Sequence, residues 1–236
     1  MKQFLSISSK IRLFFFCFTL SLFIFTSCGK KWKKPTDVSF KFQLNNNSSA
    51  GLVKFTGGYY TLNRLKFTGD RKQGTHHIEL DQTFSGNKQA LLFQNPTSAG
   101  IKFNVPQGTY KNIELEVDID GNQTGTSLEI TGYYINSDDD TCSVIFDFSA
   151  DDVLNIPASS SNGGTEIILV EDRPSSGTFI INPNYWFAAI SHSSLDDASE
   201  DLIDNVKTIF INNHENTDIY NLIIGRVRDG NRLIFE

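Results

Sequence analysis

The run from Ile113 to Asp120 limits the fold more than any other stretch of the chain. Ile113, Leu115, Val117 and Ile119 alternate with Glu114, Glu116, Asp118 and Asp120. A period of two places every apolar side chain on one face of a strand and every carboxylate on the other. A helix would scatter both sets around its circumference. The segment is therefore a strand with one face in a core and the other toward water.

The same alternation recurs. Val38, Phe40, Phe42 and Leu44 share a face, as do Ile101, Phe103 and Val105, and again Cys142, Val144, Phe146 and Phe148. Tyr59 to Phe67, His77 to Leu80, Ala90 to Phe93, Leu128 to Ile135, Asp151 to Ile156, Ile167 to Val170 and Phe179 to Ile181 are further strand candidates. Turn chemistry separates them at Gly69 to Gly74, Pro106-Gln107-Gly108, Asp120-Gly121-Asn122 and the Ser- and Gly-rich Ser159 to Gly164. Many short strands with turns between them predict a mainly β protein, an antiparallel β-sandwich.

A few short helices are expected near the C-terminus. Asn182 with Pro183 reads as a helix start carrying Trp186, Phe187 and Ile190. Ser194 with Asp197 reads as a capping box for a helix through Ile203, and Thr217 as the cap of a third. Val206 to Ile211 returns to strand, and Arg232 to Glu236 reads as a last edge strand.

The N-terminal segment has a different character. Lys2, Lys10 and Arg12 precede an apolar run from Leu13 to Phe25, which closes on Thr26, Ser27 and Cys28. A helix over that run would cover roughly 20 Å, short of a hydrocarbon core of roughly 30 Å. A secretory signal over residues 1–27 is the expectation, with a basic tether at 28–36 and a single domain at 37–236. That domain is long enough to bury its own core. Seven of the 21 basic residues precede Pro35, so the body keeps 14 against all 27 acidic ones, a formal charge of −13. A body so acidic is repelled by phosphate backbones, so nucleic acid is not an expected partner.

Few residues suggest chemistry. Cys17 would leave with the signal, and Cys142 lies in an alternating run and reads as a buried structural thiol. His76, His77, His192 and His214 show no metal-ligand spacing. Asp138, Asp139 and Asp140 read either as a solvated hairpin tip or as oxygen ligands for a cation. Glu114, Glu116, Asp118 and Asp120 read as a solvated outer face, with paired-carboxylate glycan hydrolysis as the competing reading. Tyr59-Tyr60, Tyr133-Tyr134 and Tyr185-Trp186 each offer one residue that can point outward and stack on a sugar ring. No nucleotide loop, zinc pair or nucleophile elbow is present, so no catalytic residue, metal or cofactor is assigned.

Two resemblances add to this. Phe25-Thr26-Ser27-Cys28 resembles a bacterial lipobox, which implies lipid attachment at Cys28, cleavage after Ser27 and strong membrane anchoring by several acyl chains. Gly29 after the cysteine implies sorting to the outer membrane, facing either the periplasm or the surface. Asn104 to Asp118, NVPQGTYKNIELEVD, resembles the turn-and-strand of transthyretin-like and related β-sandwich domains. With Val38-Ser39-Phe40-Lys41-Phe42 and Tyr185-Trp186-Phe187, the layout resembles lipoproteins of the Bacteroidota. The resemblance implies a noncatalytic envelope lipoprotein that binds a glycan or an envelope protein. A carboxylate-dependent glycan-processing enzyme and a fimbrillin-like adhesin subunit are the alternatives.

Overall fold

A computed structural model describes residues 34–45, 51–120, 125–149 and 151–236. The run Leu13 to Cys28 and the lipid-attachment expectation at Cys28 lie outside these residues, as does most of the tether. The first half of the chain forms β1 (Pro35–Leu44), β2 (Val53–Arg71), β3 (His77–Leu92), β4 (Thr97–Pro106), β5 (Gly108–Ile119) and β6 (Leu128–Ile135). Then follow β7 (Thr141–Phe148), β8 (Asp152–Ser160), β9 (Ile167–Leu169) and β10 (Ser175–Ile181). Helix α1 (Pro183–Trp186), a 3-10 turn (Phe187–Ala189) and α2 (His192–Asp196) lead to β11 (Asp201–Ile203) and β12 (Val206–Ile211). Helix α3 (Thr217–Ile224) and β13 (Arg232–Phe235) close the chain.

The strands join in one curled sheet in the order β11-β12-β7-β6-β2-β5-β8-β13-β10-β1-β4, with β3 on β2 and β9 on β5. The protein is mainly β, as the alternation requires, but the sheet is mixed rather than antiparallel. β1 with β10, β7 with β12 and β8 with β13 run parallel. Parallel neighbours need long connections, and distant segments supply them here. β13 is also no edge strand, since it sits between β10 and β8.

β2 is the organiser. β3 pairs along most of its length, while β6 takes its first half on the other side and β5 its second half. The changeover falls at an irregularity near Leu62 and Arg64, the kind of break that bends a strand. The curl brings Tyr60 of β2 against Phe179 of β10 at 5.8 Å, and Phe67 of β2 against Phe103 of β4 at 6.5 Å. None of these are ladder neighbours, so the apolar faces found by alternation meet across the curl. The helical segment covers the inner face of the β6-β7-β12 wing. Phe187 meets Phe55 at 5.0 Å and Phe146 at 5.9 Å, and Tyr220 of α3 lies 6.0 Å from Phe146.

Local chemistry corrects two expectations in the C-terminal third. Ser191, rather than Ser194, caps α2, accepting from the Ser194 amide at 3.0 Å. The helix ends at Asp196 rather than Ile203. Asp201–Ile203 instead pairs with β12 around Asp204-Asn205, both at positive φ (48° and 64°), as a tight hairpin turn requires. Asn216, rather than Thr217, holds the cap position of α3. The turn at Pro106-Gln107-Gly108 is locked by the Tyr110 hydroxyl, which donates to the Pro106 carbonyl at 2.5 Å. Gly108 leaves room there for Arg71 and Gln73, since a Cβ would stand 2.8 Å from Arg71 Nε and from Gln73 Oε1 and push those side chains aside. Among the described residues no helix is long and apolar enough to cross a membrane.

Candidate functional site

Each of the three aromatic pairs splits between core and surface. Tyr60 and Tyr134 are buried, Trp186 donates Nε1 to the Asp229 carbonyl at 3.0 Å, and Tyr59, Tyr133 and Tyr185 turn outward. Arg226 covers the Tyr185 ring at 5.2 Å. Tyr59 and Tyr133 share the outer face of the β2-β6 ladder. Tyr59 faces Glu129 and Tyr133 faces Lys54, so four residues of β6, about 14 Å, separate their rows.

Three of the candidate residues, Tyr133, Tyr134 and His192, converge in one place. The start of β2 and the end of β6 enclose a recess of about 190 Å³, lined by Leu52, Lys54, Tyr133, Tyr134, Ile135 and His192. Lys54, paired in register with Tyr133, holds its ammonium 5.7 Å from the ring centroid. Leu52 and Ile135 are exposed beside it. Lys54 was not legible as a site residue, because only the register brings it to Tyr133.

A polar network fixes the other wall. The Tyr134 hydroxyl donates to Asp196 Oδ1 at 2.6 Å. His192 Nδ1 lies 2.8 Å from that hydroxyl and 3.0 Å from Asp196 Oδ2. The Ser137 amide donates to Asp196 Oδ1 at 3.2 Å, and the Ser137 hydroxyl donates to Oδ2. Hydrogen bonds from Ser137, then from Tyr134 and His192, hold the Asp196 carboxyl far below the usual carboxylate range. Burial, reinforced by Asp196, pushes the Tyr134 phenol well up. His192 is about half exposed, and its ring lies T-shaped to Tyr134 at 5.1 Å between centroids. Asp196 and Ser137 were missed in the sequence, since nothing local announces a contact spanning about sixty residues.

The other candidates do not enter this recess. Cys142, opposite Tyr134 in the ladder, donates to Glu200 at 3.3 Å. Burial, with that carboxylate, pushes its thiol up to about 11, so it carries no thiolate at neutral pH. Asp138, Asp139 and Asp140 form a turn organised by Asn136 Oδ1, and Lys207 binds Asp140 at 2.7 Å. Among the described residues no group of three or more His, Cys, Asp or Glu is placed to hold a metal. His77 Nδ1 lies 3.1 Å from Asp70, and His76 Nδ1 lies 3.3 Å from the Arg71 carbonyl.

The acidic face of β5 is neutralised in part by β2. Arg64 bonds Glu116 and reaches Asp118 at 3.6 Å, while Asn63 donates to Asp118 at 3.4 Å. A different carboxylate pair went unrecognised in the sequence. Glu129 of β6 and Asp147 of β7 are directly opposite on the outer face, beside Tyr59 and Thr126. Their alternation phase was readable, but their register was not.

The recess therefore offers an aromatic ring, a cation over it, two exposed aliphatic side chains and a fixed imidazole. That set suits recognition by stacking and hydrogen bonding. Comparison with known proteins finds no matching family model, no matching curated protein and no matching solved structure.

Proposed function

We propose that the chain is a noncatalytic binding module of the cell envelope, lipidated at Cys28, held at the outer membrane and recognising a glycan or an envelope protein through the Tyr133 recess. The observation that carries this reading is the pairing of an outward Tyr133 under Lys54 with His192, which Tyr134 and Asp196 hold in place. A ring so placed gives a sugar face or an aromatic side chain a stacking surface at little entropic cost. The lipobox-like Phe25 to Cys28 supports the anchor, and the four lysines from Lys30 to Lys34 favour anionic head groups.

The curled sheet serves this role as a two-layered sandwich, supported by the Tyr60–Phe179 and Phe67–Phe103 contacts across the curl. The likeness to envelope lipoproteins of the Bacteroidota rests on the residues quoted for it. The test is a glycan array together with an envelope pull-down, run with the full chain and with Tyr133→Ala. Binding that the variant loses supports the reading. A Tyr133→Ala variant that captures every ligand the wild type captures would move the site elsewhere.

Glu129 and Asp147 favour a second reading, a glycan-processing enzyme. Two carboxyl groups stand opposite one another beside Tyr59, and burial raises both above their ordinary values. Glycan hydrolysis lost on Glu129→Gln would establish it.

A further inference from the structure

A second recess, which shares no lining residue with the Tyr133 site, opens on the outer face of β1, β10 and β13. It holds about 310 Å³, within the size range of small-ligand sites. Its floor is a registered row. Gln43 of β1 faces Ile180 of β10, and Ile180 faces Arg232 of β13. Ladder partners share a face, so the Gln43 amide and the Arg232 guanidinium rise on either side of Ile180, about 10 Å apart at their Cα atoms. Gln94 and Asn95 from the turn before β4, with Asn45 after β1, form the walls. The wall is tied to the floor. Gln43 Nε2 donates to the Gln94 carbonyl at 2.7 Å, the Leu44 amide to the Phe93 carbonyl at 2.9 Å, and the Asn45 amide to the Ile181 carbonyl at 2.8 Å.

We propose that this recess binds a carboxylate-bearing saccharide of the uronic acid class. Each carboxamide offers both a donor and an acceptor, which matches sugar hydroxyls that also do both. Arg232 adds a planar fork of donors that fits a carboxylate bidentately. Charge supports the assignment. Six of the 14 basic residues of this acidic body, Arg64, Lys66, Lys72, Lys111, Lys207 and Arg228, are each engaged by a carboxylate. Among the described residues Arg232 has no carboxylate within 4 Å, nor do Lys41 and Lys102 on the same outer face. A −13 body thus keeps an unneutralised guanidinium in an amide-lined recess, and that combination selects an acidic sugar over a neutral one.

The test is calorimetric titration of the full chain in detergent micelles with digalacturonate, cellobiose and succinate. Digalacturonate binds, while cellobiose and succinate bind at least tenfold more weakly, since each offers only half of the recognised chemistry. Arg232→Gln loses about tenfold or more in digalacturonate affinity, and Arg232→Lys, which keeps the charge without the fork, falls between. Lys207→Gln, which removes a cation outside both recesses, leaves digalacturonate affinity unchanged, so the loss at Arg232 is not one of net charge. Circular dichroism of both Arg232 variants checks the sheet, whose backbone ladder does not depend on that side chain. No digalacturonate binding by the wild type, equal affinity for cellobiose or for succinate, or an Arg232→Gln variant that binds undiminished would each overturn the proposal.

Discussion

Glu129 and Asp147 face one another across the β6–β7 ladder, and among the described residues neither has a cationic partner. Burial raises the pKa of both, and the charge of Asp147 raises Glu129 further. The folded protein therefore holds protons there more tightly than the unfolded chain. The stabilisation is complete below the unfolded carboxylate range, near pH 4, and is lost as pH rises through the raised folded values. Like charges directly opposite in a sheet cost about 0.2–1 kcal/mol. Asp147→Asn is expected to raise Tm by about 1–3 °C at pH 7 and by much less at pH 4. Paired thermal melts at the two pH values check this, and an equal gain at both would show that the charge is not the cause.

The Tyr134 hydroxyl organises the wall of the first recess through Asp196 and His192. Tyr134→Phe keeps the buried ring and removes that hydrogen bond. The loss is about 1 kcal/mol of stability, with a freer His192 ring. The His192 side-chain NMR signals report the second effect. A variant with unchanged stability and unchanged His192 signals would mean that the network does not position the ring.

Tyr60 makes the opposite prediction from the same chemistry. Its ring is buried, and among the described residues its hydroxyl has no hydrogen-bond partner. Burial pushes its pKa far up. An unpartnered buried hydroxyl costs about 1–3 kcal/mol. Tyr60→Phe is therefore expected to stabilise the fold by about 1 kcal/mol, measured by urea unfolding at constant m-value. Destabilisation would reveal a partner for that hydroxyl.

These residues show how far the sequence could be read. Strand parity is a local property, so one residue of each tyrosine pair was expected outside; the structure turns Tyr59 and Tyr133 out and buries Tyr60 and Tyr134. The partners were not local. Tyr134 meets Asp196, Tyr133 meets Lys54, and Glu129 meets Asp147, each through pairing or packing that the intervening sequence does not encode. The same limit hid the place of β13. Arg232–Phe235 is short and terminal, as an edge strand often is, yet it inserts between two strands. β3 was split in two because Asp81, Gln82 and Thr83 are exposed and polar, which breaks the pattern. The β2 backbone ladder carries that strand instead. Helix ends failed for a related reason. Several Ser and Asn side chains in a row can each cap, and Ser191 outcompetes Ser194 by its position alone.

Membrane anchoring is tested at Cys28. The basic start, the apolar run from Leu13 to Phe25 and the small residues before the cysteine motivate it. Cys28→Ser removes the acceptor thiol. The protein is expected to leave the membrane fraction and to lose incorporation of labelled palmitate. Unchanged membrane fractionation of the variant would remove the anchor from the proposed function.

Phe179 tests the layering of the curled sheet. It is fully buried on β10, stacked on Tyr60 of β2 at 5.8 Å and 20°, and edge-on to Phe42 of β1 at 5.6 Å and 75°. Truncation to Ala leaves a cavity between β10 and β2, which are not ladder neighbours, so the surroundings cannot close it by a shift along one ladder. The expected cost is about 3–5 kcal/mol, a Tm lower by about 6–20 °C at this chain length. Phe93 is the control, since it is 46% exposed beside the end of β3. Phe93→Ala is expected to stay within about 0.5 kcal/mol of the wild type. If the two truncations cost the same, Phe179 does not bridge the two sides of the curl, and the two-layered reading of the sheet fails with it.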